Sequence, residues 1–291
     1  MSLPDVQNLR ATRPYRLTRV GVTGVVKPIR VSRGGEAHRM VGTFDVFVDL
    51  PATQRGTHMS RNIEAVNRCI DEHVRKETAS LEDLASGIAH DLLQRHDYAA
   101  EAEVHVACDY FREQSTPENH APTLERYDLF ATSLVSREAG ERRSIGTTVV
   151  GMSACPCAME GTRTRLAEAG HDVAGFPTIT HNQRNNATLV VETAPGHSVE
   201  ADALIDIAEA SLSAPTFELL KRGDETALVM LAHENPRFVE DVVREMLHRV
   251  AEAFPNLPDD TVVTVRSDAE ESIHKHNAVA ERIALMSELR E

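Results

Sequence analysis

Hydrophobic and polar residues alternate along several segments of this chain, and such alternation predicts β-strands. In other segments apolar residues recur every three or four positions, which predicts amphipathic helices. The predicted strands span residues 16–31, 43–50, 102–111, 127–137, 144–153, 187–192 and 261–266, and the predicted helices span 62–76, 81–95, 199–212, 237–253 and a tail from about His276. Because Gly34 and Gly35 separate the first two strands, we expect those strands to form a hairpin.

The order of the predicted elements approximately repeats. Two strands, two helices and two strands occupy the first half of the chain, and a similar order follows in the second half, which suggests an internal duplication. We therefore predict an α+β fold in which helices cover one side of antiparallel sheets. The predicted organisation is a polar, loosely held arm at 1–14, a first half at 15–143 and a second half at 144–291. A polar, glycine-containing insertion at 159–176 lies within the second half.

Composition and charge narrow the class of protein. The 291 residues carry a formal net charge of −14, although residues 1–39 hold eight Lys or Arg against two acidic residues. Such acidity disfavours nonspecific nucleic-acid binding, which depends on neutralising phosphates. No apolar run approaches the ~20 residues of a membrane helix, and the first residues do not resemble a secretion signal. We expect a cytoplasmic protein without nucleic-acid or membrane partners, and its four cysteines do not form a disulfide framework.

The stretch Cys155-Pro156-Cys157 is the most unusual local feature of the sequence. Pro156 prevents a helix from running through both thiols and holds Cys155 in an extended conformation. This spacing is too tight for a comfortable disulfide and differs from the Cys-x-x-Cys of redox and zinc-ribbon sites. One thiolate can bind a metal while the other packs. The alternative is two small buried residues at a strand end.

Four further polar clusters carry side chains that can bind metals, orient ligands or transfer protons. An imidazole such as His181 is a good ligand for a borderline metal, with donors beside it for orientation. His274 and His276 would share one face of a strand, which suits a metal or a proton relay. The alternative for each cluster is a solvated loop or helix face. The clusters are His181-Asn182-Gln183-Arg184, Lys221-Arg222-Gly223-Asp224-Glu225, Glu240-Asp241 and Glu271-Ser272-Ile273-His274-Lys275-His276-Asn277.

The ordered set of these motifs resembles the GTP cyclohydrolase IB family, including its archaeal branch of MptA-type enzymes. The resemblance covers about residues 17–282. No Walker or Rossmann glycine motif competes with it, and no Gly-x-Ser-x-Gly nucleophile elbow is present. The motifs are Ser153-Ala154-Cys155-Pro156-Cys157, His181-Asn182-Gln183-Arg184, Leu220-Lys221-Arg222 through Asp224-Glu225, Asn235-Pro236-Arg237-Phe238-Val239-Glu240-Asp241 and Glu271-Ser272-Ile273-His274-Lys275-His276, with Gly56-Thr57-His58-Met59-Ser60-Arg61 upstream.

The resemblance implies a tunnelling fold with two fused antiparallel-sheet/helix halves per chain. It also implies a homo-oligomer with active sites at subunit interfaces and GTP as substrate. Carried over by position, it implies metal ligation by Cys155, His181 and Glu225, and anchoring of guanine by Glu240. It also implies catalytic roles for Cys155, His274 and His276. We expect Arg184 and Lys221 to contact the triphosphate. Cys157 is the weaker cysteine candidate, and His171 in the insertion is an alternative metal ligand.

The implied reaction is hydrolytic opening of the guanine imidazole ring at C8, with release of formate. Archaeal members resembling this chain use Fe(II) and make 7,8-dihydroneopterin 2′,3′-cyclic phosphate, which we take as the expected product. The alternative is the bacterial-type product, 7,8-dihydroneopterin triphosphate, made with Zn or Mn. Thiolate, imidazole and carboxylate ligands tolerate all three metals. The 26-residue separation of Cys155 and His181 favours the archaeal branch.

Two rival classes remain open at this point. Another enzyme on the same fold, such as a nitrile reductase, would use a cysteine nucleophile and NADPH without the His-Asn-Gln-Arg cluster. A non-catalytic purine-binding or structural metal protein would hold its metal in closed four-ligand coordination.

Overall fold

A computed structural model of the chain describes residues 5–33, 36–75, 80–175 and 177–290. The turn at Gly34-Gly35, Lys76 at the end of a predicted helix and Phe176 at the end of the insertion lie outside these residues. In chain order the elements are β1 (Leu17–Arg33), β2 (Glu36–Leu50), α1 (Met59–Arg75), α2 (Leu81–Arg95), β3 (Glu101–Ser115), β4 (Pro122–Ser136), β5 (Gly140–Ala154), α3 (Pro156–Glu168), β6 (Asn182–Thr193), α4 (Ala201–Ala210), β7 (Ala214–Pro215), α5 (Arg222–Glu234), α6 (Val239–Ala253), β8 (Val262–Ala269), β9 (Ala278–Leu285) and α7 (Met286–Leu289).

The strands hydrogen-bond in the order β1-β2-β3-β4-β5-β6-β8-β9, and β7 pairs with β5. The pairs β1–β2, β2–β3, β5–β7 and β8–β9 are antiparallel. This architecture confirms the predicted α+β class with an antiparallel sheet and helices. No helix in the described part of the chain is both long and apolar enough to span a membrane.

The chain divides into two compact units. The first comprises the described residues of Met1–Asp109, together with Leu129–Ile145 and Glu192–His197. The second comprises Tyr110–Asp128, Gly146–Val191 and the described residues of Ser198–Glu291.

The first unit is built on the predicted hairpin of β1 and β2. Phe44, Val46 and Val48 alternate with more exposed residues along β2 and are almost fully buried, as expected for a sheet with one covered face. The strands approach so closely at Gly21 that a Cβ there would overlap the Val46 carbonyl oxygen. Only glycine fits at this position, because any side chain would displace the neighbouring strand.

A buried polar network also belongs to the first unit. His96 follows α2 and is 0 % exposed, with Nε2 2.7 Å from Asn62 Oδ1 and Nδ1 2.7 Å from the Tyr98 hydroxyl. The Thr57 hydroxyl lies 2.6 Å from the same Tyr98 oxygen. Burial lowers the pKa of His96 to about 4, and the charge of Arg61 adds to this effect. His96 is therefore neutral at physiological pH.

This network predicts a pH dependence of stability. Between pH 6.5 and 4 the unfolded chain binds a proton at His96 and the folded chain does not, so stability falls as the pH falls. The free energy of unfolding should lose up to about 3 kcal/mol from this group across that interval. Denaturant unfolding of the protein and of His96→Gln at several pH values isolates the contribution. Parallel pH profiles for the two proteins would contradict the assignment.

Four features of the second unit differ from the sequence-based expectations. The segment from about His276 is strand β9 rather than a helical tail, because Ala278–Leu285 pairs with β8 in antiparallel register. Most of the predicted insertion forms α3, which begins at Pro156. Helix α5 was not predicted, and β6 begins at Asn182, five residues earlier than expected.

Candidate active site

A cavity of about 330 Å³ in the second unit brings together four distant segments of the chain. They are the end of β5, the residues at the start of β6, the start of α6 and the loop between β8 and β9. Five of the predicted site residues line this cavity: Cys155, His181, Glu240, His274 and His276. Ser153, Gln183, Arg237 and Glu271 also line it and are not among the predicted site residues.

Cys155 and His181 are held together by the backbone. The amide of Cys155 donates to the carbonyl of His181 at 3.1 Å, and the Thr180 hydroxyl donates to the carbonyl of Cys155 at 2.6 Å. Cys155 is extended and caps α3, with Sγ accepting from the amide of Ala158 at 3.4 Å. Pro156 therefore acts as predicted, because the helix starts after the first thiol. Cys157 is exposed. The alternative interpretation, in which both cysteines are small buried residues at a strand end, is therefore wrong for Cys157.

The ring of His181 is oriented by polar side chains. Its Nδ1 lies 2.8 Å from Gln183 Oε1 and 3.8 Å from Glu271 Oε2. The amide nitrogen of Gln183 donates to Ser153 Oγ and to Glu271 Oε1, each at 3.2 Å. These groups are largely buried, so water competes little with their hydrogen bonds.

Glu240 lies in the first turn of α6, whose start is fixed to the end of β5. The amide of Arg237 donates to the Ala154 carbonyl at 3.0 Å, and its guanidinium donates to the Ser211 carbonyl at 3.1 Å. Asp241 accepts from the amide of Phe238 and closes the helix N-terminus. Glu240 is exposed and lines the cavity, where a ligand could reach its carboxylate.

His274 and His276 stack on one another in the loop after β8. Their ring centroids are 5.1 Å apart with an interplanar angle of 15°, and both residues are exposed. The segment is not a strand, so their juxtaposition comes from the loop rather than from strand alternation. Asn277 anchors the end of this loop by donating to Asp268 Oδ1 at 3.1 Å.

Three predicted site residues lie outside this cavity. Arg184 follows the inward Gln183 on β6 and lines a second cavity of about 500 Å³, which also contains Tyr127 and Glu209. Lys221 and Glu225 are exposed at the N-terminus of α5 and line neither cavity.

The N-terminus of α5 is held rigidly by a buried carboxylate. Asp224 accepts hydrogen bonds from the amides of Glu118, Asn119 and Lys221 and from the side chain of Asn119. These donors, the amide of Asn119 first among them, hold the pKa of Asp224 well below its ordinary value. Lys221 and Glu225 are thus presented to solvent from a fixed helix end.

In the second cavity, buried acidic groups contact one another. The Tyr127 hydroxyl donates to Glu209 Oε1 at 2.6 Å. Burial raises the pKa of Glu209, and burial together with the hydrogen bond to Glu209 raises that of Tyr127. These groups stabilise each other, and Arg184 lies at the same cavity.

The donors at the first cavity match a thiolate- and imidazole-binding metal in chemical type. If Nδ1 of His181 donates to Gln183, its Nε2 keeps a lone pair for ligation, and from the described residues Cys155 Sγ receives one long hydrogen bond. Among the described residues, however, no three His, Cys, Asp or Glu side chains are grouped closely enough to hold a metal. Cys155 and His181 are therefore two suitable ligands from this chain, and a metal bound at this cavity would need a third.

Comparison with solved structures defines the class of fold. The chain is similar to a uricase from Bacillus fastidious (TM-score 0.55, 11 % identity, 95 % of this chain and 96 % of that one). It is also similar to the uricase from Arthrobacter globiformis (TM-score 0.54, 9 % identity, 92 % and 93 % covered). At these identities the likeness concerns the fold alone, and it supports the predicted tunnelling-fold class.

Sequence comparison gives the family. The model of type I GTP cyclohydrolase folE2 matches residues 3–280. GTP cyclohydrolase MptA of Methanothermobacter thermautotrophicus is 43 % identical over 301 residues, with 99 % of this chain and 95 % of the relative covered. GTP cyclohydrolase MptA of Methanosarcina mazei is 41 % identical over 307 residues, with 99 % and 96 % covered. The chain belongs to the type I GTP cyclohydrolase family and is an enzyme of the hydrolase class.

Proposed function

We propose that this chain is a metal-dependent GTP cyclohydrolase that opens the guanine imidazole ring at C8, releases formate and yields 7,8-dihydroneopterin 2′,3′-cyclic phosphate. Membership of the family supports the general activity. The observation that carries the site assignment is that Cys155, His181, Glu240, His274 and His276 line one cavity although they come from four segments.

Glu240 is proposed to anchor the guanine. Its carboxylate can accept two parallel hydrogen bonds, from N1–H and from the 2-amino group, and adenine does not offer this pair of donors. The position of Glu240 in the first turn of α6, tied to β5 through Arg237, supports this role because it holds the backbone of Glu240 near the end of β5, next to Cys155. Two parallel hydrogen bonds to Glu240 would set the orientation of the guanine ring in the cavity.

Cys155 and His181 are proposed to hold one divalent metal, with Glu225 as a third ligand. Fe(II) is the proposed metal, and Zn or Mn would also suit a thiolate, imidazole and carboxylate set. Bound there, the metal would supply Lewis-acid chemistry by lowering the pKa of a water molecule towards neutrality. Arg184 and Lys221 remain our candidates for the phosphate chain, because guanidinium and ammonium groups bind phosphate.

His274 and His276 are proposed to carry protons. Each C–N bond that breaks at C8 leaves a nitrogen that must gain a proton, and an imidazole can donate it near neutral pH. Both rings are exposed, so bulk water can restore the proton after each step.

A homo-oligomer with sites completed at subunit interfaces is the fourth element of the proposal. Glu225 and Lys221 are exposed and outside the cavity, as expected for residues supplied to a neighbouring copy. The terminal strands of the sheet order carry exposed apolar residues, Val26 on β1 and Ile283 on β9. We also propose that residues 15–143 and 144–291 are the two fused tunnelling-fold halves, although the two compact units of the structure each draw segments from both of these ranges.

The product distinguishes the archaeal from the bacterial branch. The MptA relatives come from methanogens, which supports the archaeal reaction. We expect anaerobic incubation of the metal-stripped protein with GTP and added Fe(II) to give a cyclic phosphate by mass analysis. A triphosphate product would assign the chain to the bacterial-type reaction. Unchanged GTP with Fe, Mn and Zn would reject the cyclohydrolase proposal in favour of a binding protein.

A further inference from the structure

Gln183 is a buried polar residue at the cavity, and the proposed reaction gives it no specific role. It is 9 % exposed and makes three polar contacts, to His181, Ser153 and Glu271. We propose that Gln183 is a positioning residue that holds neutral His181 as the Nδ1–H tautomer and leaves the Nε2 lone pair available to a metal. The tautomer stands on geometry alone, whereas its use in metal binding rests on the proposed function.

The orientation of the Gln183 amide follows from its partner Glu271. An ionised carboxylate has only acceptor atoms, so the group 3.2 Å from Glu271 Oε1 must be the amide nitrogen of Gln183. The Ser153 hydroxyl, also 3.2 Å away, accepts the second hydrogen of that nitrogen. The carbonyl oxygen of Gln183 is then necessarily the atom that faces the histidine.

The tautomer of His181 follows from the amide orientation. Gln183 Oε1 lies 2.8 Å from His181 Nδ1, and because an amide oxygen only accepts, Nδ1 must donate. Glu271 Oε2, 3.8 Å from the same nitrogen, favours the hydrogen there electrostatically. Nε2 of the neutral ring is left without a hydrogen, which is the form that ligates a metal. Groups that orient a ligating histidine in this way typically change metal affinity 10–100-fold when removed.

The position of Gln183 on β6 explains why this role is specific to it. Strand alternation turns Gln183 inward and Arg184 towards the second cavity, so the adjacent residue cannot replace it. Gln183→Leu removes the acceptor for Nδ1 at similar volume, whereas Gln183→Glu keeps an acceptor oxygen. Asn186→Ala, on the same strand and with its side chain at Glu270, is the matched control for perturbation of β6.

Two measurements on the full-length protein test the inference. Two-bond ¹H–¹⁵N spectra of the metal-free protein with ¹⁵N-labelled histidine report the tautomer, and His181→Gln identifies the resonances of His181. The wild type, Gln183→Glu and Asn186→Ala should give the Nδ1–H pattern, and Gln183→Leu should shift to Nε2–H. In equilibrium dialysis with Zn(II), Gln183→Leu should bind the metal 10–100-fold more weakly than the wild type, and the other two variants should bind it as the wild type does.

The outcomes separate this inference from the proposed function. An Nε2–H pattern in the wild type, or an unchanged pattern in Gln183→Leu, overturns the positioning role. If Gln183→Leu does not fold, Gln183→Met, which also removes the acceptor for Nδ1, takes its place under the same criterion. A shifted tautomer in Gln183→Leu with no metal binding by the wild type supports the role of Gln183 and rejects the metal site.

Discussion

Replacing Cys155 by alanine is expected to reduce GTP turnover at least ~1,000-fold while the chain stays folded, because under the proposed function the variant loses a ligand of the metal that would supply several kcal/mol of transition-state stabilisation. The structural cost is small. Sγ accepts one hydrogen bond from the amide of Ala158, and loss of such a helix cap costs about 1 kcal/mol. Turnover, metal content and thermal unfolding of the purified variant are the measurements.

Cys157→Ala is the matched control for this experiment. Cys157 lies two residues further on, is exposed and should tolerate the change with near wild-type turnover. Turnover and metal content retained by Cys155→Ala would reject Cys155 as a ligand. Loss of the fold together with the metal would instead indicate a structural metal site.

Replacing Glu225 by glutamine is expected to reduce turnover at least ~100-fold, because a neutral amide is a poor substitute for a carboxylate ligand. The more informative result comes from mixing Glu225→Gln with Cys155→Ala during co-expression. If different subunits supply the two residues, one site in four carries both native residues in a randomly mixed oligomer. Activity should then recover to roughly a quarter of the wild-type value although each variant alone is inactive.

Glu234→Gln, on the same helix and also exposed, is the control for a charge change on α5. It should keep wild-type activity. An inactive mixture would mean that one chain supplies both Cys155 and Glu225. Full activity of Glu225→Gln alone would remove Glu225 from the site.

The long elements of the fold were predictable from hydrophobic patterning. The β1–β2 hairpin and helices α1 and α2 have sustained periods of two or of three to four residues, which tertiary contacts rarely override. Strand β9 was missed because the eight residues 278–285 mix small, apolar and charged side chains without alternation. Their state is decided by pairing with β8, including an Arg266–Glu281 ion pair, and a local pattern does not contain that information.

The sequence predicted which residues belong to the candidate site better than it predicted which of them lie together in space. Motif order identified the five predicted residues that share the cavity, yet the spacing of one chain does not say which residues meet in space. Arg184 and Gln183 stand side by side in the sequence, and strand alternation sends them to different cavities. Glu271 was visible at the start of its motif, but its role depends on reaching Gln183, 88 residues away.

The most direct test of the central claim follows the fate of the carbon at position 8 of guanine. GTP labelled with ¹³C at C8 would be incubated anaerobically with metal-stripped and with Fe(II)-loaded protein, and ¹³C NMR would monitor formate. The account predicts labelled formate at one equivalent per GTP consumed, only with metal. Label retained in a purine at full GTP recovery with every metal supplied, or formate released equally without metal, would contradict it.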